Sequence, residues 1–453
     1  MAAVLEPVSG TNQNRESGWV NRLFNQEVST PEYQELKFKL HRQLLDRINL
    51  ESLSTMAGER VRRDVRTAVA RLVDEQKSPL SLVEKDRVIE EILDEVFGLG
   101  PLEPLLQDPT VSDILVVTPR LVYVERGGKL YRTPVEFKDD GHLLRIIEKI
   151  VSRVGRRVDE SSPLVDARLP DGSRVNAVIP PVAVDGPLLS IRRFGRHALR
   201  GEDLVTKGAM TEGMLQLLQG CVKARLNILI SGGTGSGKTT LLNAVSSYIP
   251  EDERIVTIED AAELRLQQTH VARMETRPPN VEGTGAISIR QLVINSLRMR
   301  PDRIIVGEVR SEEALDMLQA MNTGHDGSLT TLHANTPRDA LGRLEVMVGM
   351  ANANMGIRSI RSQIASAVDL FVQTSRFTDG SRRITHITEV VGMEQDIVTL
   401  QDIFLFEKTG VSDTGKIRGR FRATGIRPKF YDRLKTCGIT LGTPLFQTVV
   451  EVN

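Results

Sequence analysis

The chain has 453 residues, with 59 Lys and Arg balanced by 59 Asp and Glu, and only 4% aromatic residues. That length exceeds one compact core and predicts two or three domains. Zero net charge and few aromatics count against a dedicated nucleic-acid binder, which draws affinity from a basic excess and from base stacking.

The two cysteines, Cys221 and Cys437, lie far apart in no metal-type spacing, which fits a reduced, cytosolic setting. The opening MAAVLEPVSGTNQNRES lacks the basic start and apolar run of a signal peptide. No apolar run reaches the roughly 18 residues of a membrane span. Membrane contact is therefore expected only through a partner or a surface.

Residues 1–30 are polar, rich in Gly, Asn, Pro and Ser, and read as disordered. A helical bundle is expected over 31–98. Leu36, Leu40, Leu44 and Ile48 recur every four positions on the first helix. Val61, Val65, Ala68 and Leu72 do so on a second, over 58–76, and a third runs Leu82–Phe97 to Gly98. The run ERVRRDVR reads as a solvated face. Residues 99–203 alternate short apolar runs with turns (DILVV, LVYVERGGKLYR, ARLPDGSRVNAVIPP, VDGPLLSIRRF) around one helix, LLRIIEKIVSRV. This predicts a small α/β domain. From 204 to 453, LNILIS, RIVTIED, DRIIVGEVR and SLTTLHAN alternate with helical segments, the pattern of a parallel sheet covered by helices.

The stretch SGGTGSGKTT follows the first of these strands and opens a helix. Gly232, Gly237, Lys238 and Thr239 complete G-x-x-x-x-G-K-[ST], so 232–240 (Gly232, Gly233, Thr234, Gly235, Ser236, Gly237, Lys238, Thr239, Thr240) is expected to cradle nucleotide phosphates. Glycines let amides curl around the oxyanion, Lys238 adds charge, and the Thr239 hydroxyl is a Mg²⁺ ligand. Glu308 and Glu259, with Asp260, follow apolar strands and can place acid near metal and water, or be ordinary charged strand ends. Gly307 would allow close backbone approach. His325 and His333 flank a further strand and point to a phosphate-sensing role, while zinc fits neither their spacing nor the absence of a nearby cysteine.

Together these stretches resemble the secretion ATPase superfamily, with IVTIEDAAELRL as Asp-box, RMRPDRIIVGEVR as Walker B and TGHDGSLTTLHANTPRDAL as His-box. METRPPNVEG and FRATGIRPKF are similar to the CpaF branch, the motors of tight-adherence (Flp) pili, and the resemblance spans roughly residues 30–440. It implies a RecA-like P-loop ATPase domain preceded by a small α/β, PAS-like domain. It implies that Glu308 polarises the attacking water, that Glu259 supports metal and water, and that His333 lies near the γ-phosphate. It implies further that Arg174 and Arg192, with Arg193 as the alternative at the second position, reach the nucleotide from the N-terminal α/β domain. Taken without the family, these arginines read as surface ion pairs. The four-cysteine zinc module of long type II secretion ATPases is missing.

The expected function is a homohexameric ring motor using ATP and Mg²⁺, at the cytoplasmic face of an inner membrane. It would drive pilus assembly, and possible retraction, or related secretion through a membrane platform. Its hinge would lie at 201–208 and its docking element in the helical bundle. Alternatives are a P-loop nucleic-acid translocase, a nucleotide-dependent switch, or a slow ATP-binding scaffold. ATP is expected over GTP because no N-K-x-D segment follows the cradle.

Overall fold

A computed structural model describes residues 31–47, 59–76, 80–193, 199–279 and 283–452. The expectation of disorder over 1–30, and the apolar position Ile48, lie outside them. The chain divides into two compact units, Met1–Arg196 and His197–Asn453.

The first unit opens with α1 (Pro31–Arg47), α2 (Glu59–Glu75) and α3 (Leu82–Phe97). Their four-residue apolar spacing puts Leu40, Leu44, Val65, Val69, Leu72, Ile89 and Ile92 in one core. Ser81 and Glu84 form a reciprocal cap that starts α3. After the short α4 (Glu103–Gln107) come β1 (Val111–Thr118), β2 (Leu121–Arg126), β3 (Lys129–Arg132), α5 (Asp140–Arg153), β4 (Leu164–Arg168), β5 (Arg174–Val178) and β6 (Leu188–Arg192). The strands form an antiparallel sheet in the order β3-β2-β1-β6-β5-β4, with the apolar face of α5 in its core.

The bundle and this α/β layer are joined rather than separate at 98/99. Buried Glu95 of α3 meets His142 Nε2 of α5 at 2.9 Å and Lys37 of α1 at 3.5 Å. Lys149 of α5 donates to the carbonyls of Glu95 and Val96. Buried charges persist only when paired, so this network ties the two layers together.

The second unit begins seven residues before the expected boundary of 204. Helix α6 (Gly201–Thr206) buries Leu204 among the core residues of this unit. A Cβ on Gly201 would lie 2.2 Å from the Tyr248 hydroxyl and 2.5 Å from Leu215, so glycine lets α6 sit this close without displacing either side chain. The expected hinge at 201–208 thus lies inside the second unit, with its first six residues in the packed helix α6.

Then follow α7 (Glu212–Lys223), β7 (Ile228–Gly232), α8 (Lys238–Ser246), β8 (Ile255–Glu259), β9 (Val271–Glu275), α9 (Ile289–Ser296), β10 (Arg303–Val306), α10 (Glu313–Asn322), β11 (Leu329–Leu332), α11 (Pro337–Ala351), α12 (Ile357–Ala367) and β12 (Leu370–Arg376). Strands β9, β8, β10, β11, β7 and β12 are parallel neighbours in that order. Strands β7, β8, β10 and β11 are buried along their whole length, as strands covered on both faces must be.

The same sheet continues through β13 (Arg382–Glu394), β14 (Ile397–Val411), β15 (Ile417–Ala423) and β16 (Val449–Val452), all antiparallel, with α13 (Tyr431–Thr436) between the last two. Sequence alternation predicted the parallel part. The antiparallel extension is decided by cross-strand pairing, with β15 alternating buried Ile417, Gly419, Phe421 and Ala423 against exposed Arg418 and Arg420.

Candidate active site

Strands β7, β11, β10 and β8 are consecutive in the sheet, and each carries a polar group at its carboxyl end. Sites of parallel sheets gather there because the loops that follow converge.

The loop after β7 is shaped for an anion. Gly235 and Gly237 have φ of +69° and +96°, conformations that side chains rarely adopt. A Cβ on Gly232 would lie 2.5 Å from Ser236 Oγ, Thr374 O and Thr374 Oγ1, so glycine is required for the close approach. Ser236 and Thr374 share a hydrogen bond of 2.9 Å beneath the loop. Helix α8 starts with no side-chain cap and no acid in its first turn, leaving its N-terminal amides and dipole open to phosphate. Thr239 and Thr240 lie in that first turn, half-buried. Gly233 and Thr234 complete the rim.

Buried Lys238 donates to the carbonyls of Gly232 and Gly233 at 3.1 Å each. Its Nζ is 3.4 Å from both ring nitrogens of His333, at the end of β11. Burial draws the ammonium below its usual pKa, against the opposing pull of Glu308. Burial, and then the Lys238 charge, also lower the imidazole of His333, so at neutral pH it is uncharged and can accept a proton. His333 Nε2 lies 3.0 Å from Glu308 Oε1 without hydrogen-bond alignment, and the other carboxylate oxygen takes Arg310 at 2.8 Å. Lys238, His333 and Glu308 therefore form one cluster.

Glu259 does not face the same way. It is buried at the end of β8, and its Oε1 accepts from the backbone N–H of Glu263 and Leu264 at 2.8 and 2.9 Å. Its Oε2 is buried without a hydrogen-bond partner. A Cβ on Gly307 would come within 3.0 Å of Glu259 Cγ, so the glycine before Glu308 makes room for this side chain. Asp260 is the acid that joins the cluster, through Arg310 Nη1 at 3.1 Å.

Burial pushes the Glu259 carboxyl from its ordinary 4.5 up to about 7, although the two backbone donors pull it down. An acid with a raised folded-state pKa binds a proton on folding. Its contribution to stability is full below the unfolded value and is lost as pH rises toward 7. Glu259→Gln, which keeps an acceptor for the two amides, is expected to gain stability over the parent between pH 5 and pH 8. The gain should be of the order of 3 kcal/mol, read from thermal unfolding at several pH values. A constant difference across that range would show that Glu259 stays ionised in the fold.

His325 is not in the site. It precedes β11 and His333 follows it, and a four-residue strand separates its ends by roughly 13 Å. The pair expected from spacing therefore lies at opposite ends of the sheet.

No cluster of three His, Cys, Asp or Glu arranged for a metal occurs among the described residues. A Mg²⁺ here fits a Thr239 hydroxyl, at most one or two carboxylates such as Glu308, and the nucleotide's own phosphates, its usual coordination with nucleotides.

In the first unit, Arg174 is the cross-strand partner of Arg192 and of Arg168, and Arg192 is also paired with Asp113. Three arginines thus occupy one row across β6, β5 and β4, like charges that repel one another, with Asp113 of β1 next in the row. Arg192 is exposed, with Nε 3.2 Å from Asp113 Oδ1. Arg193 points elsewhere: its guanidinium donates to the carbonyls of Leu105, Asp108 and Val111.

Sequence reading missed Arg310 and Arg168, and also Arg376 and Arg382. Arg382 Nε donates to Gly235 O at 2.8 Å, and Arg376 Nη1 would be 3.1 Å from a Cβ on Gly235. These two are partners across the β12–β13 hairpin, about 140 residues from the loop they touch, so only pairing reveals them.

Against known proteins, the family described as "Type II/IV secretion system protein" matches residues 95–421. A putative conjugal transfer protein of Mycobacterium tuberculosis is 40% identical over 299 residues, covering 65% of this chain and 84% of that one. The type IV secretion system protein VirB11 of Bartonella henselae is 30% identical over 328 residues, covering 64% and 91%. Among solved structures, the VirB11 ATPase of the Brucella suis type IV secretion system, in complex with sulphate, is 28% identical with a TM-score of 0.35, covering 64% and 96%. The chain belongs to the type II/IV secretion system protein family and is a P-loop ATPase.

Proposed function

We propose that this ATPase is the motor subunit of a ring, homohexameric in its working form, that drives assembly of a tight-adherence pilus or related secretion through a membrane platform. The observation that carries it is the cluster of Lys238, His333 and Glu308 at adjoining strand ends, beside an uncapped helix start. The α8 amides and Lys238 bind and orient the phosphates. Glu308 orients the attacking water and draws its proton, and neutral His333 lies where the terminal phosphate is held. Mg²⁺, when bound, neutralises charge on the phosphates. Glu259, buried behind Gly307, supports this wall of the site from within.

The row of Arg168, Arg174 and Arg192 supports a second part of the reading, that the N-terminal unit supplies charge to the nucleotide at each turnover. Arg192 is the better candidate than Arg193, whose guanidinium is held by three carbonyls. No helix among the described residues is long and apolar enough to cross a membrane. Membrane association at the cytoplasmic face is therefore proposed to run through platform partners. A second reading, export in conjugation or type IV secretion, is favoured by the names of the relatives at 40% and 30% identity.

ATP turnover per subunit, measured from well below micromolar upward, tests the ring. The rate per subunit is expected to climb steeply and then level, and Arg192→Ala to flatten the climb by at least about tenfold. Full turnover by a species that sizing shows to be a monomer would exclude the ring. Full turnover of Arg192→Ala would exclude the arginine's role.

A further inference from the structure

Arg310 stands two positions after Glu308 and holds acids from two strands at once. Its Nη2 donates to Glu308 Oε2 at 2.8 Å and its Nη1 to Asp260 Oδ2 at 3.1 Å. The backbone that carries it is fixed. The buried carboxylate of Glu313 accepts from the N–H groups of Arg310 and Ser311 at 2.7 and 3.0 Å. Asp260 is held from its other side, where Oδ1 accepts from Thr276 Oγ1 at 2.9 Å. Among the described residues, His333 and Lys238 also face Glu308.

A carboxylate that is to take a proton from water needs a free oxygen, and Glu308 has one: Oε2 holds the guanidinium, whereas Oε1 makes no hydrogen bond. The Arg310 side chain is 51% exposed, so by itself it would hold the carboxylate loosely against competition from water. Asp260 tightens that hold. It bonds the other guanidinium nitrogen, so Arg310 is fixed at two points and Oε1 of Glu308 stays aimed away from it. The two acids come from the neighbouring strands β8 and β10, which fixes their separation independently of the side chains.

We propose that Arg310 and Asp260 form a relay that aims Glu308: Arg310 holds Oε2 of the carboxylate so that Oε1 is left for the attacking water, and Asp260 fixes Arg310 in that place. Both are positioning residues, acting through Glu308 rather than on the phosphate. Asp260 thereby has a task distinct from that of Glu259, whose carboxylate is bound to the turn at 263–264. The relay rests on Glu308 acting on the water, as read above.

The test is a double-mutant cycle on the full chain, with steady-state ATP turnover for Asp260→Asn, Arg310→Gln and the pair, and with Asp260→Glu as the conservative control. Asp260→Asn leaves the Arg310 guanidinium bonded to Glu308 without the second carboxylate that fixes it. It is expected to lower kcat about tenfold, with KM changed less than about twofold. Asp260→Glu is expected to restore most of the rate. In the Arg310→Gln background, Asp260→Asn should change kcat by less than about twofold, because there is no longer a guanidinium to fix. Binding of a fluorescent ADP analogue reports whether each variant keeps its site. If Asp260→Asn loses that binding, Thr276→Val, which releases Asp260 from its hydroxyl partner, takes its place in the same cycle. An equal loss of kcat in both backgrounds, or a loss confined to KM, would overturn the relay. Glu308→Gln runs beside it. Normal turnover there would remove the premise, whereas an inactive Glu308→Gln with an additive cycle would remove the relay alone.

Discussion

Glu308→Gln is expected to lower ATP turnover about a thousandfold while leaving nucleotide affinity within about threefold, because general-base catalysis contributes rate and not binding. Glutamine fills the same volume between Arg310 and His333 and keeps an oxygen for the Arg310 guanidinium. It loses only the negative charge and the ability to take a proton. The cradle is built elsewhere, from the turn at 232–237, Lys238 and the start of α8, so phosphate binding should persist. Turnover under saturating ATP, beside titration with a fluorescent ADP analogue, separates the two effects. Unchanged turnover would shift the task to another group, and His333, with its imidazole held neutral, would be the next candidate.

Arg303→Met is expected to destabilise the second unit by about 3–5 kcal/mol, the loss found when one member of a buried ion pair is removed. Arg303 is fully buried at the start of β10, at the end of the sheet away from the site. Its guanidinium holds both carboxylate oxygens of Glu253 and donates to Val222 O at 2.9 Å and Gly327 O at 3.2 Å. Methionine fills much of the space but leaves Glu253 with Arg225, at 3.4 Å, and leaves two carbonyls without this donor. The unfolding midpoint of this unit should fall by roughly 10 °C. Arg303→Met combined with Glu253→Gln should recover about half of that loss, since the stranded charge is then gone. A midpoint within a degree or two of the parent would mean that Arg225 neutralises Glu253 by itself. Gly327 belongs to the same construction: its φ is +79°, and a Cβ there would lie 1.8 Å from Arg303 Nη1.

Local pattern carried a great deal of this protein. The phosphate cradle was legible because amide curling, the lysine and the helix start are contiguous, so their spacing along the chain is their spacing in space. The buried parallel strands were legible from unbroken apolar runs, and the N-terminal helices from apolar residues every four positions. Glu308 and His333 were legible because each follows an apolar strand of an alternating sheet, whose carboxyl ends form one edge.

What chain order does not encode is direction and partnership. Glu259 and Asp260 are adjacent, yet successive residues leaving a strand point to opposite sides, and one turned into the core while the other met Arg310. Arg192 and Arg193 divided in the same way. His325 and His333 looked like a pair until β11 set them at opposite ends of itself. Arg168 entered the arginine row, and Arg376 and Arg382 came to the cradle, through strand registers that no local pattern specifies. The sequence by itself thus determined the ligand, the fold class and the chemistry available. Which side chains share the site was decided by pairing and burial, because those energies act between residues distant in the chain.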